Sequence, residues 1–227
     1  MFGKKRAFTL AEILLALVIV GIVAGLALPS LLKDMQSKSR MNLLKSTFVG
    51  IDDYIHKDIA HKRSEDIINL DVYVNPQLFL SKFNVAPSGE PFAASYKNYN
   101  GQQVNCITDF SGARSGKILL QNGVGIGIKN PEASSGDRFT TIVVDLTGEK
   151  APNTVGIDYF VAKLFWDEDL DKGIHVGDVH GFTDSLGNTA ESENALRTAC
   201  FNGNGKSCFR LVELTGYDPD FLGQEYK

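Results

Sequence analysis

The sequence predicts an α+β fold: one long N-terminal helix, then a head that holds an antiparallel sheet. Three observations carry this. From Ile13 to Leu28 no polar side chain appears. Beyond Pro29, Leu44, Phe48, Ile51, Ile55 and Ile59 recur at spacings of 4, 3, 4 and 4, one stripe on one helix face. Further along, apolar and β-branched segments alternate with turn residues.

The helix comes first. Phe8 to Leu28 is 21 residues, about 31 Å of helix at ~1.5 Å per residue. That matches a hydrocarbon core of ~30 Å, so the run is long enough to span a membrane. The stripe then extends the helix to about Ala60, apolar in its first half and amphipathic in its second. Gly21, Gly25 and Pro29 are its weak points, since Gly costs ~1 kcal/mol and Pro ~3 kcal/mol in a helix interior. Gly21 and Gly25 also have the spacing of a close helix-packing motif. Lys33, Asp34, Gln36, Ser37, Lys38, Ser39 and Arg40 form a solvated stretch above the stripe.

The head follows. In "VNPQLFLSKF", Asn75 is placed to cap a short helix with Pro76 at its first position. Residues 86 to 116, rich in Gly, Ser, Asn and aromatics, read mainly as loop. "KILLQNGVGIGIK" predicts a hairpin about a two-residue Asn122-Gly123 turn. "RFTTIVVDL" predicts a third strand, and the turn-rich "APNTVGIDYFVAKLFW" leads into a fourth.

Composition narrows the function. Charged residues are 22% and hydrophobic ones 43% of 227, ordinary values for a globular chain. The net charge of −4 argues against a nucleic-acid binder, which would want a basic face.

Two kinds of processing fit the N-terminus. An ordinary secretory signal would use Lys4, Lys5 and Arg6 as its basic region and cleave near Gly25 and Ala27. The alternative removes only the short basic leader and keeps the apolar helix. Thr9 and Glu12 polarise the start of the run, the run is long for a signal, and helical periodicity continues past Pro29. These favour the second.

"KKRAFTLAE" followed by an unbroken apolar run resembles the class III signal of type IV pilins and type II secretion pseudopilins. The resemblance implies that a prepilin peptidase cuts between Ala7 and Phe8 and methylates the new N-terminus at Phe8. Glu12 then stands fifth in the mature chain, where the family places its assembly glutamate. Gly21 and Pro29 also fall where the family often has the same residues. Ala7 departs from the usual Gly, and Ala11 from the usual Ile or Val. Loss of Lys4, Lys5 and Arg6 leaves 20 cations against 27 acids, or −7, and the leader's cations hold that end in the cytoplasm.

The implied organisation is a cytoplasmic leader over residues 1–7 and a transmembrane and filament-core helix over 8–29. Residues 30–62 continue that helix in amphipathic form, and 63–227 make an extracytoplasmic globular head. The implied protein is a structural filament subunit, not an enzyme, in a type II secretion pseudopilus or a type IV pilus. Its implied partners are further copies in a helical filament, other pilin-like subunits, the prepilin peptidase, an inner-membrane assembly platform and, before assembly, membrane lipid. A single-span anchored binding or enzymatic head is the alternative.

A second resemblance covers residues 143 to 160, "VVDLTGEKAPNTVGIDYF". It is similar to a segment of pilin-like type II secretion proteins, on Asp145, Gly148, Pro152, Asn153, Gly156, Asp158 and Phe160.

Other motifs read as ordinary structure. "GDVHG" at 177 to 181 opens like a metallophosphatase motif, but no further His follows. "GNGKS" at 203 to 207 ends like a phosphate loop without its first glycine. "GVGIG" at 123 to 127 is accounted for by the hairpin. No cofactor is expected, with one exception to weigh. Asp167, Asp169, Asp171 and Asp178 approach the spacing of a calcium loop, although Gly173 comes one residue late. A solvated acidic loop is the simpler reading, and calorimetry with calcium would separate the two.

Three cysteines remain. Cys200 and Cys208 enclose a short polar loop that closes easily into a disulfide, and the resemblance points the same way. Two free buried thiols are the alternative, with Cys106 left over as a possible competing partner.

Overall fold

The computed structural model describes residues 9–64, 66–131, 139–167, 173–176 and 193–222. Helix α1 runs Leu10–Lys62 without a break at Pro29. It is long and apolar enough to cross a membrane, by length and composition. The chain divides into two compact units, Met1–Ser39 and Arg40–Lys227.

Among the described residues of the first unit, the large apolar side chains from Leu10 to Met35 are exposed. Leu10 is 75% exposed and Leu26 is 78% exposed. A helix that is apolar all round suits lipid or neighbouring helices, not water.

In the second unit the predicted stripe is buried. Leu44, Phe48, Ile51 and Ile55 are core residues, joined by Met41, and Ile59 packs at the margin. α1 ends at Lys62, and Arg63 takes a left-handed conformation with φ 50°. A 3-10 turn, Ile67–Asn69, leads to α2, Asp71–Val74, and α3, Pro76–Leu80. Asn75 caps α3 as predicted, its side chain accepting from Leu78 N at 3.1 Å.

Ion pairs tie the end of α1 to this corner. Asp58 is 3% exposed and accepts from Asp71 N at 2.6 Å. Lys82 reaches Asp71 at 2.8 Å and Asp58 at 3.6 Å, and Lys62 bridges to Asp71 as well. Desolvation opposes the charge on Asp71, but both ammonium groups outweigh it and hold this carboxyl below the usual range.

The sheet is an antiparallel meander of five strands: β3 Ser115–Leu119, β4 Gly125–Lys129, β5 Phe139–Asp145, β6 Tyr159–Asp167 and β7 Gly173–Val176. A separate two-stranded ribbon, β1 Tyr96–Lys97 with β2 Gln103–Val104, lies in the segment read as loop. The β3–β4 connection differs from the two-residue turn expected. Leu120 N donates to Val124 O and Gly123 N to Leu120 O, so three residues, Gln121 to Gly123, span the gap. Gly123 supplies the positive φ of 87° that such a loop requires.

Two helices close the described chain, α4 Glu193–Phe201 and α5 Gly205–Leu214. Asn204 caps α5, accepting from Lys206 N and Ser207 N. Phe209 of α5 packs on Phe48 of α1 with ring centroids 4.3 Å apart. Cys200 and Cys208 form the disulfide and both are fully buried. Cys106 is the free thiol, half-buried. Burial, with Asp145 and Asp158 nearby, pushes it up to about 12, so it is a poor nucleophile at neutral pH.

Closing the eight-residue separation constrains the unfolded chain by about 2.5 kcal/mol in the loop-entropy treatment. Replacing both Cys200 and Cys208 with Ser should therefore lower the melting temperature of the full chain in detergent by several degrees. An unchanged melting temperature would show that α4 and α5 hold together without the bond.

Candidate assembly site

The N-terminal site is built by local backbone chemistry. A helix leaves its first four N–H groups without partners. Here Thr9 precedes α1 and Glu12 lies one turn in. Glu12 Oε2 accepts from Thr9 N at 2.8 Å and from the Thr9 hydroxyl at 2.9 Å. In return Thr9 Oγ1 accepts from Glu12 N at 3.3 Å. This reciprocal arrangement is a capping box, written in the sequence as Thr-x-x-Glu ahead of an apolar run. Glu12 is exposed in the protomer and has this local partner. In the sequence Glu12 stands out by its charge; the Thr9–Glu12 spacing signals the cap as well.

Ala7 and Phe8 lie outside the described residues. Gly21, Gly25 and Pro29 all sit inside α1. A Cβ placed on Gly21 or Gly25 would meet nothing within 4 Å, so neither glycine is required by contacts within the chain.

The second motif, residues 143 to 160, folds into a buried polar turn between β5 and β6. Asp158 is fully buried and accepts from Asn153 N at 2.6 Å and Thr154 N at 2.7 Å. Thr147 Oγ1 lies 3.1 Å from it. Asp145, also fully buried, accepts from the Tyr96 hydroxyl and from Thr147 N at 2.9 Å. Burial pushes Asp145 up to about 7 and raises Asp158 as well, against the hydrogen bonds that favour their charge. Gly156 has φ 85°, and a Cβ there would come 2.8 Å from Cys208 Sγ. These residues organise the turn and seat it against the disulfide. Backbone donors already occupy the carboxylates.

Among the described residues no group of three or more His, Cys, Asp and Glu side chains could hold a metal ion. Of the calcium-loop residues, Asp167 ends β6, while Asp169, Asp171 and Asp178 lie outside the described residues. The 177 to 181 motif lies outside them too. Gly203 to Ser207 follows a helix, not a strand, and holds the cap of α5.

A long helix opened by Thr9 and Glu12 and apolar through its first half, followed by a meander head, defines an α+β chain with a helix long and apolar enough to cross a membrane. Comparison with protein families agrees: residues 3–28 match the prokaryotic N-terminal methylation motif, the class III signal of type IV pilins and pseudopilins. Comparisons with curated proteins and with solved structures gave no match.

Proposed function

We propose that this chain is a structural subunit of a type IV pilus-like filament, either a type II secretion pseudopilus or a type IV pilus. It polymerises through α1 after cleavage before Phe8 and N-methylation. The observation that carries this is the methylation motif on a helix whose apolar side chains are exposed all round. Such a helix is stable in lipid, and equally in a core of like helices. Polymerisation exchanges one for the other, driven by an assembly machine outside this chain. The head faces the extracytoplasmic side.

Intact-mass measurement of the purified protein tests the processing step. The expected chain begins at Phe8 and carries one added methyl group. A start near Leu28, or an unprocessed Met1, contradicts the proposal.

A further inference from the structure

The polar stretch after Pro29 holds an acid and a base whose separation repeats that of the N-terminal pair. Asp34 and Lys38 are four positions apart, as are Phe8 and Glu12. Both belong to the first unit and both are exposed. An acid four residues before a base is the favourable order for a pair along one helix. Asp52 and His56 use that spacing and meet at 3.4 Å. Asp34 and Lys38 do not meet, and neither forms an ion pair with another described residue.

We infer that this acid and base set the register between subunits: Lys38 of one copy pairs with Asp34 of the neighbouring copy. The inference rests on the filament reading above. In such a filament we take the amine of Phe8 in one copy to pair with Glu12 of the next, the role the resemblance implies for this glutamate. That contact displaces two parallel helices by four residues, about 6 Å along the axis. The same displacement brings Lys38 of one level with Asp34 of the other. Around α1, Glu12 and Lys38 lie about 80° apart at 3.6 residues per turn, inside the width of one helix flank.

Two other registers are penalised. With no displacement, Asp34 faces Asp34 and Lys38 faces Lys38. With a displacement of five, Lys38 faces the neighbour's Lys33. Like charges set against each other disfavour both of these alignments.

Cysteine cross-linking of the full-length chain, in a Cys106→Ser background, tests the register. Two copies are co-expressed, one carrying Asp34→Cys and the other Lys38→Cys, and membranes are oxidised. The mixed dimer should exceed either same-site dimer several-fold. As a second readout, Lys38→Glu or Asp34→Lys alone should lower filament yield several-fold, and the two together in one chain should restore it. Same-site dimers as abundant as the mixed one overturn the register and leave the filament reading standing. Charge reversals without effect, in cells that still build filaments, do the same. An unaltered chain that never enters a polymer overturns both.

Discussion

Glu12→Gln and Glu12→Ala are each expected to abolish incorporation into filaments while leaving expression, membrane insertion and cleavage before Phe8 largely intact. Insertion does not need the carboxylate. Thirteen Leu, Ile, Val or Phe side chains lie between Phe8 and Leu28. Each contributes about −0.3 to −0.6 kcal/mol, near −6 kcal/mol in sum, against roughly +3 kcal/mol for a carboxylate in the span. Assembly is different, because a helix that leaves lipid for a dry filament core takes its charges with it. Leaving one partner of a buried charge pair alone costs about 3–5 kcal/mol. In the proposed filament the partners would be Glu12 and the methylated amine of a neighbouring copy's Phe8.

The two variants also separate charge from capping. Gln at this position keeps an oxygen for Thr9 N and can close a capping box; Ala cannot. If charge pairing governs assembly, both fail. If Glu12→Gln assembles normally as the only copy in the cell while Glu12→Ala fails, the cap matters and the charge does not. Filament yield from sheared or fractionated cells, measured beside the fraction processed, gives the answer.

Asp158→Ala should destabilise the head by roughly 3 kcal/mol, because an unsatisfied buried polar group costs about 1–3 kcal/mol and more than one donor would be stranded. The N–H groups of Asn153 and Thr154 lose their acceptor at once. Its neighbour sets a pH dependence. Asp145 is held near 7 when folded and falls to about 3.9 when unfolded. The folded state therefore binds the proton more tightly. This contribution is fully present below about pH 4 and is lost as pH rises through 7. Asp158 is raised too and acts in the same direction. The full chain in detergent should melt higher at pH 5 than at pH 8, and Asp145→Asn should remove much of the difference. Equal melting at the two pH values, or an Asn variant with the parental slope, would contradict the assignment.

The parts of the fold legible in the sequence are those set by short-range pattern. The 4, 3, 4, 4 stripe placed Leu44, Phe48, Ile51 and Ile55 on the buried face of α1, where they are. Asn75 and Pro76 announced α3 because cap and first turn are adjacent in sequence. The strands before and after Asn122 followed from apolar segments around a turn, and the strand ending at Asp145 from a β-branched run. What escaped depends on partners far along the chain or on weak local signals. α4 is nine residues long and buries only Leu196 and Cys200, too few positions to establish a period. β7 has four residues. Asp145 meets the Tyr96 hydroxyl across 49 residues, and no local pattern shows that two carboxylates of a turn will be fully buried. At the N-terminus the sequence identified the segment and its glutamate. The capping box is equally legible there, in the Thr-x-x-Glu spacing of Thr9 and Glu12.

Immunogold electron microscopy of cells carrying their own assembly machinery, with antibody against the head, tests the central claim most directly. The account predicts fibres labelled along their length, at the cell surface for a pilus or in the envelope for a pseudopilus. Label dispersed over the membrane as single copies, with the chain cleaved before Phe8 yet absent from every fibre, would contradict it.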